Sequence, residues 1–372
     1  MNDEPFISIV TPVYNGALFL AECIESVLNQ SYTNWEYIIV NNCSTDGTLA
    51  LAEQYASRDA RIRVVTNNVF VNCEQNHNNA FRQISGRSAF CKVVSADDRL
   101  LPHCLETMVS FAIRHTNVGI VGAYQQRGER IIWQGLSKEV GLLSGREACR
   151  MHLLKGVYVL GNPTSVLYRS DLIRSRDSFF PHSEPHADAS AFYECLLNCN
   201  LGFIHEVLSV SREHEGQVSA GLSQLKAEEI AYLDMFARYG RKYLTEAEFT
   251  ARRAEILDQY YRMLGSCALR MKGWKFWRFH QPRLENMGYD LDWRRVLVEA
   301  AGKVVGHLQH PVIAWRRVKS LLATRIYTQA GLDNRSATVP RGDAVSAAAV
   351  RIIALLNANV SKCFYRRQPG GR

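Results

Sequence analysis

The chain has 372 residues, 47% of them hydrophobic, and 44 Lys and Arg against 36 Asp and Glu give it a net charge of +8. Such a chain can bury one sizeable core and a second, smaller one, and no apolar run nears the roughly 18 residues of a membrane span. The charge is uneven: residues 1–240 hold 20 basic and 26 acidic side chains, a net of −6, whereas residues 241–372 hold 24 and 10, a net of +14. In chain order, Ile7–Thr11 is predicted as a strand, Leu18–Asn29 as a helix, Tyr37–Val40 as a strand and Thr48–Tyr55 as a helix. Ile62–Thr66, Asn76–Ile84 and Phe90–Val94 continue the alternation, followed by a helix from Leu101 to His115 and a strand at Val118–Tyr124. Strands alternating with helices imply βαβ units and a mostly parallel sheet.

After residue 125 the rhythm changes. Gly128–Trp133 reads as part of a hairpin, Arg146–Leu154 as a helix, Thr164–Tyr168 as a strand, Ala189–Leu197 as a helix and Gly202–Val210 as a strand. Beyond Leu222 the pattern is almost wholly helical, with Trp274, Phe276, Trp277 and Phe279 crowded together. Ala330–Asp343 reads as a linker before a short helix, Val345–Leu356, and a basic tail. The opening MNDEPF lacks the basic and apolar segments of a secretory signal, and the ten cysteines form no CxxC pair, so reduced thiols and a cytoplasmic setting are expected.

Two predicted strands end in polar groups, and in an open α/β sheet the carboxyl edge is where ligands bind. The run IIVNNCSTDGT stops at Asn41 and Asn42. These residues suit an ordinary turn, and equally the donors and acceptors of a flat heterocycle. The run FCKVVSADDRLLP ends in Asp97 and Asp98, which suit a helix cap or a hard cation shared with phosphates. Asp188 precedes a helix as a cap or a reactive carboxylate, and His214 lies in a polar loop where a lone His is usually solvated. The chain lacks GxGxxG after its first strand, GxxxxGK[ST], GxSxG and HExxH, so dinucleotide, P-loop, hydrolase and zinc-protease chemistries have no motif. No nucleic-acid module accompanies the basicity.

Taken in order, PFISIVTPVYNGALFLAECIESVLNQSYTNWEYIIVNNCSTDGT, SADD at 95–98, NPTSVLYR at 162–169, Asp188 and the RxHxxxxS pattern from Arg212 to Ser219 resemble family 2 glycosyltransferases over roughly residues 5–220. The resemblance implies a GT-A fold, α/β with a Rossmann-like sheet, in a domain at 1–220 split near residue 124 into nucleotide and acceptor halves. A helical extension at 221–330 and a linker, short helix and tail at 331–372 lie outside it. It further implies that Thr11, Pro12 and Tyr14 line a nucleotide pocket with Asn41 and Asn42 at the base or ribose. Asn76, Lys92 and Ala96 would be further nucleotide-side positions. Asp97 would bind Mn²⁺ or Mg²⁺, Asp98 would orient the site or the donor sugar, His214 would approach the cation from the far side, and Asp188 would be the general base.

This chain departs from the family at three places. Asn41, Asn42 and Cys43 stand where the family has paired Asp and Gly, Ser95 replaces the first Asp of DxD, and His186-Ala187 replaces the acid before the base, with Glu184 upstream. The expected activity is inverting transfer from a UDP-sugar to a saccharide or lipid-linked saccharide in surface polysaccharide or glycolipid synthesis. The alternative is a catalytically silent nucleotide-sugar-binding or scaffold protein that keeps the GT-A fold. The basic C-terminal third is expected either to lie on an anionic membrane surface, making the protein peripheral, or to cover the sheet or mediate homo-oligomerisation.

Overall fold

The computed structural model describes residues 4–181, 186–214 and 217–309. The predicted linker, the helix at 345–356, the tail, and Glu184 lie outside the described residues. In chain order the first half reads β1 (Ile7–Val13), α1 (Ala17–Leu28), β2 (Trp35–Asn41), α2 (Thr48–Ala56), β3 (Ile62–Thr66), α3 (Cys73–Phe81), β4 (Phe90–Val93), β5 (Arg99–Leu100), α4 (Cys104–Arg114) and β6 (Val118–Arg127). Then follow β7 (Arg130–Ile132), β8 (Leu142–Leu143), α5 (Gly145–Lys155), β9 (Val166–Arg169), α6 (Ser170–Arg174), α7 (Ala187–Cys195) and β10 (Asn200–Ser211). The remainder is helical: α8 (Val218–Gln224), α9 (Ala227–Tyr243), α10 (Glu246–Leu269), α11 (Trp274–Asn286) and α12 (Trp293–Gln309).

The strands form one sheet in the order β3-β2-β1-β4-β9-β6-β10-β5, with β7 beside β6 and β8 beside β10. β1 pairs in parallel with β2 and β4, and β2 with β3. Strand β9 runs antiparallel between β4 and β6. It therefore stands between the parallel strands β3-β2-β1-β4 and the group β6-β10-β5.

Strand β1 is buried along almost its whole length, as expected of a strand covered on both faces, where apolar runs replace alternation. Ile7 and Ile9 pack with Leu20, Cys23, Ile24 and Val27 of α1 and with α4. Val10, Ile38 and Val40 face the other way, toward Ala80 and Phe81 of α3. The same core continues through α5 and α7 into α9, α10 and α11, with Ile230, Phe236, Tyr260 and Phe276 all buried. The described residues up to Gly302 thus make one compact unit. The break expected near residue 220 is not a break in packing, because α9 closes over the face that α5 and α7 present.

Several short elements escape the periodicity reading. β5 and β8 span two residues each, too few for a pattern. The strand predicted from Thr164 starts instead as a single 3-10 turn, Pro163–Ser165, because Asn162 Oδ1 accepts from the Ser165 N–H at 3.0 Å. Helix α3 begins three residues early, where Asn72 and Gln75 form a reciprocal cap.

Two buried histidines hold the helical part together in their neutral form. His152 of α5 meets the Tyr193 hydroxyl at 2.7 Å. His280 of α11 meets the Tyr260 hydroxyl through Nδ1 at 2.7 Å and donates from Nε2 to the Leu225 carbonyl at 2.7 Å. Burial lowers each to about 4, against about 6.5 in an unfolded chain. Since the folded pKa is depressed, the unfolded state binds the extra protons. Stability is therefore full above about pH 6.5 and falls as the pH drops toward 4, by about 2 kcal/mol per histidine at pH 5. Urea unfolding at neutral pH and at pH 5 should show this loss, and His152→Phe with His280→Phe should flatten it. An equal slope in the double variant would assign the acid sensitivity elsewhere.

Candidate active site

Four chain segments meet at the carboxyl ends of β1, β2 and β4 and at the end of β10. The first is the turn after β1, where Asn15 adopts φ 49°. A Cβ on Gly16 would sit 2.6 Å from Val13 Cγ2, so only glycine lets α1 start this close to the strand. Pro12 is half-buried and Tyr14 is 48% exposed, its ring edge-on to Phe70 at 4.8 Å. Thr11 is a correction to the expected pocket lining: it is fully buried, and its hydroxyl donates to the Val94 carbonyl at 2.7 Å beneath the site.

The second segment is the end of β2. Asn41 and Asn42 are 1% and 2% exposed, and their side chains are engaged within the protein. Asn41 Oδ1 accepts from the Ser44 N–H at 3.2 Å. Asn42 Oδ1 accepts from Asn67 Nδ2 at 2.9 Å and from the Val71 N–H at 3.0 Å, while its Nδ2 donates to the Val71 carbonyl at 2.8 Å. Asn67 also donates to Asn76 Oδ1 at 2.8 Å and accepts from Asn79 at 2.9 Å. The expected base-facing amides, Asn41, Asn42 and Asn76, instead fasten the loop after β3 to the end of β2 and to α3. Asp46, in the same turn, joins the starts of two helices, accepting from the Ala17 N–H at 3.2 Å and the Thr48 N–H at 3.0 Å.

This ladder explains why an amide replaces the family's acid. A carboxylate at position 42 keeps the two acceptor contacts but faces the Val71 carbonyl oxygen with no proton to offer. Asn42→Asp is therefore expected to cost about 1–3 kcal/mol, as a buried acceptor is left unsatisfied beside a charge. Thermal unfolding of the variant at neutral pH checks this. Stability equal to the wild type would show that the loop does not depend on the donor.

The third segment is the end of β4. Lys92 is fully buried, and its Nζ donates to the main-chain carbonyls of Thr164 at 2.6 Å and Val166 at 3.0 Å. It clamps β4 to the 163–166 turn rather than facing a nucleotide, which corrects its expected role. Ala96 is half-buried. Asp97 and Asp98 point opposite ways. Asp98 is 5% exposed and is held by the hydroxyls of Thr164 and Ser211 and by the Arg212 N–H. Burial, and then the neighbouring Asp97 charge, push it up to about 6. It ties the ends of β4 and β10 together instead of reaching a donor sugar. Neither carboxylate caps the next helix, whose cap position is His103.

The fourth segment follows β10. His214 Nε2 donates to Asp97 Oδ2 at 3.1 Å, and Gln217 Nε2 donates to the same oxygen at 3.1 Å and to the Arg212 carbonyl at 2.6 Å. Arg212 pairs with Glu22 of α1 and lies over the Phe19 ring at 5.0 Å, while the His214 ring sits 4.7 Å from Phe19. The arm is thus braced on α1. His214, which a sequence reads as a solvated loop residue, is brought onto Asp97 from 117 residues away. Gln217 is absent from the expected set, and no spacing signal points to it.

Asp188 lies in the first turn of α7, behind a cap residue, His186, at φ 63°. Its Oδ1 accepts from the Ala189 N–H at 2.9 Å. Burial lifts Asp188 above the ordinary carboxylate range, against the pull of His186 and His77. His77, on α3, is held below its ordinary value by burial, and its Nδ1 donates to the Cys73 carbonyl at 2.9 Å. Cys73 lies in the fields of both Asp188 and Asp97, so the start of α3 borders both carboxylates. Cys73 and His77 are site neighbours that no motif reveals, and His186, which stands where the family has an acid, carries a buried Nε2 with no hydrogen-bond partner among the described residues.

The Asp97 carboxylate and the His214 imidazole are oxygen and nitrogen ligands suited to Mn²⁺ or Mg²⁺. Among the described residues no third His, Cys, Asp or Glu joins them. Such an ion would complete its shell with substrate phosphates and water, as these ions commonly do.

The sheet has the GT-A arrangement, with polar strand ends and a strand-end carboxylate. Residues 8–176 match the family model described as glycosyl transferase family 2, and through this segment the chain is similar to that family. It is 35% identical over 140 residues to the putative glycosyltransferase EpsE of Bacillus subtilis, covering 36% of this chain and 50% of EpsE. It is 29% identical over 123 residues to WfgD of Escherichia coli, named as a UDP-Glc:α-D-GlcNAc-diphosphoundecaprenol β-1,3-glucosyltransferase, covering 33% of this chain and 47% of WfgD. The chain thus spans about half the length of these curated relatives. Among solved structures, S. aureus TarS 1-349 in complex with UDP-GlcNAc superposes with a TM-score of 0.57 at 19% identity, covering 76% of this chain and 79% of that one. The mannosyltransferase PcManGT of Pyrobaculum calidifontis, with GDP-Man and Mn²⁺, reaches 0.50 at 15% identity over 90% and 89%. These likenesses concern the fold.

Proposed function

We propose that the chain transfers a sugar from a UDP-sugar to a hydroxyl of a lipid-linked saccharide, with inversion and with Mn²⁺ or Mg²⁺, in surface polysaccharide synthesis. The observation that carries this reading is the meeting of Asp97 and His214 at the strand ends, with Asp188 across the start of α3. WfgD, by its name, uses UDP-glucose and a diphosphoundecaprenol acceptor, and TarS has been solved with UDP-GlcNAc. Those facts favour uridine and a lipid carrier here.

When bound, the cation would be held by Asp97 and His214 and would neutralise charge on the diphosphate leaving group, worth several kcal/mol. The protein's own residues do the rest. Asp188 accepts the proton of the acceptor hydroxyl as its oxygen bonds to the anomeric carbon. The bond from that carbon to the diphosphate breaks, and its electron pair leaves with UDP. A carboxylate whose pKa is raised by burial takes up a proton more readily than an ordinary surface carboxylate. Tyr14, edge-on to Phe70 and 48% exposed, would offer its ring to a flat base, while the engaged amides stiffen the loop that carries Phe70.

Calorimetric titration with UDP-, GDP- and dTDP-sugars, with and without Mn²⁺, tests the reading. Binding of a UDP-sugar that requires the cation is expected. A preference for guanine, or affinity indifferent to the cation, would overturn it.

A further inference from the structure

The crowded aromatics of α11 do not act together. Phe276 is 2% exposed and packs on His280 at 4.3 Å, and Trp277 and Phe279 are half-buried against the same core. Trp274 alone turns outward, 74% exposed, beside Met271 at 88% and Leu269 at 46%. These three side chains project from one corner, the connection between α10 and α11, where Met271 takes φ 51°.

The charge at this corner is as one-sided as its apolar surface. From Gln259 to Leu284 the chain contains no Asp or Glu and six Lys and Arg. Arg270, Lys275 and Arg278 are exposed, and among the described residues no carboxylate pairs with them. Bulky apolar side chains this exposed mark a contact surface. Flanked by unpaired cations, they match the boundary of an anionic bilayer, where Trp and Met enter the acyl edge and Lys and Arg meet headgroup phosphates. A symmetric contact with a second copy would set the same cations against one another.

We propose that residues 269–278 seat on an anionic lipid surface. The corner lies outside the nucleotide site, so the proposal stands whether or not the acceptor is lipid-linked. Among the described residues no helix is long and apolar enough to cross a membrane, and a surface contact of this kind requires none.

Full-length protein should co-sediment with phosphatidylcholine vesicles containing about 30% phosphatidylglycerol, should not do so with phosphatidylcholine alone, and should release at high salt. Met271→Ser with Trp274→Ser should weaken partition by about tenfold or more, as should Arg270→Gln with Lys275→Gln and Arg278→Gln. Circular dichroism and nucleotide binding should be unchanged in both. Wild-type protein that stays in the supernatant would overturn the proposal, and so would variants that bind like the wild type. A variant whose change appears as a lost dimer in light scattering, with vesicle binding intact, would make a second copy the occupant instead.

Discussion

Asp188→Asn should lower sugar transfer by about 10²–10⁴-fold or more while leaving cation-dependent nucleotide binding intact. Asparagine keeps the shape of the side chain and can still accept the Ala189 N–H that Asp188 Oδ1 accepts at 2.9 Å, so α7 should start as before. What it loses is the capacity to take a proton. Burial has already raised Asp188 above the ordinary carboxylate range, so replacing a partly desolvated acid with a neutral amide should not weaken the fold. Single-turnover transfer from a radiolabelled UDP-sugar, read beside calorimetric UDP affinity, separates the two effects. Loss of both together would mean that Asp188 supports the structure. Retention of both would remove it from the chemistry and turn attention to His186 and His77.

The rate should also fall with acid, because Asp188 must be unprotonated to accept the hydroxyl proton. Its lifted pKa moves that fall to higher pH than a free aspartate would give. A similar fall in the Asn variant's residual rate would place the titrating group elsewhere.

The parallel half of the sheet was legible because its strands are buried on both faces and its helices carry a clear apolar stripe, as Leu20, Ile24 and Val27 do in α1. Which strand-end side chains face the ligand was not legible. The pair Asp97 and Asp98 lies in a turn, closed by the Asp98 N–H on the Ser95 carbonyl at 2.9 Å, so it announces a site without saying which member is outside. The outcome depends on Thr164 and Ser211, more than 60 residues further on, which offer hydroxyls to Asp98 and draw it inward. Lys92 and Thr11 were misplaced for the same reason, since polar residues at strand ends look alike whether they clamp the floor or line the pocket. The family's glycine position has a visible cause in this chain: Cys43 occupies it at φ 57°, a conformation that favours glycine. The arm carrying His214 and Gln217 reaches Asp97 across 117 and 120 residues. Only the order of motifs in a resembled family joined His214 to Asp97 in advance, and nothing joined Gln217.

Asp97→Asn carries the second large effect. Asp97 is the only strand-end carboxylate of its pair that faces outward, because Asp98 is committed to Thr164, Ser211 and Arg212, and Ser95 has no charge to contribute. Removing its charge leaves a lone imidazole for a divalent cation, so cation-dependent UDP affinity should fall by about 10²-fold, with activity lost in parallel. His214→Ala should fall less, by about 10–100-fold, since the carboxylate remains. The variants should also separate in the absence of metal. Asp97→Asn weakens the anchor of the 212–217 arm, whereas His214→Ala leaves the Gln217 contact at 3.1 Å in place. Limited proteolysis of the metal-free proteins should therefore cut the arm sooner in Asp97→Asn than in His214→Ala. Metal affinity unchanged in Asp97→Asn would mean that the cation, if any, is held by the substrate alone. In that case the contact between Asp97 and His214 would serve only to close the arm over the strand ends.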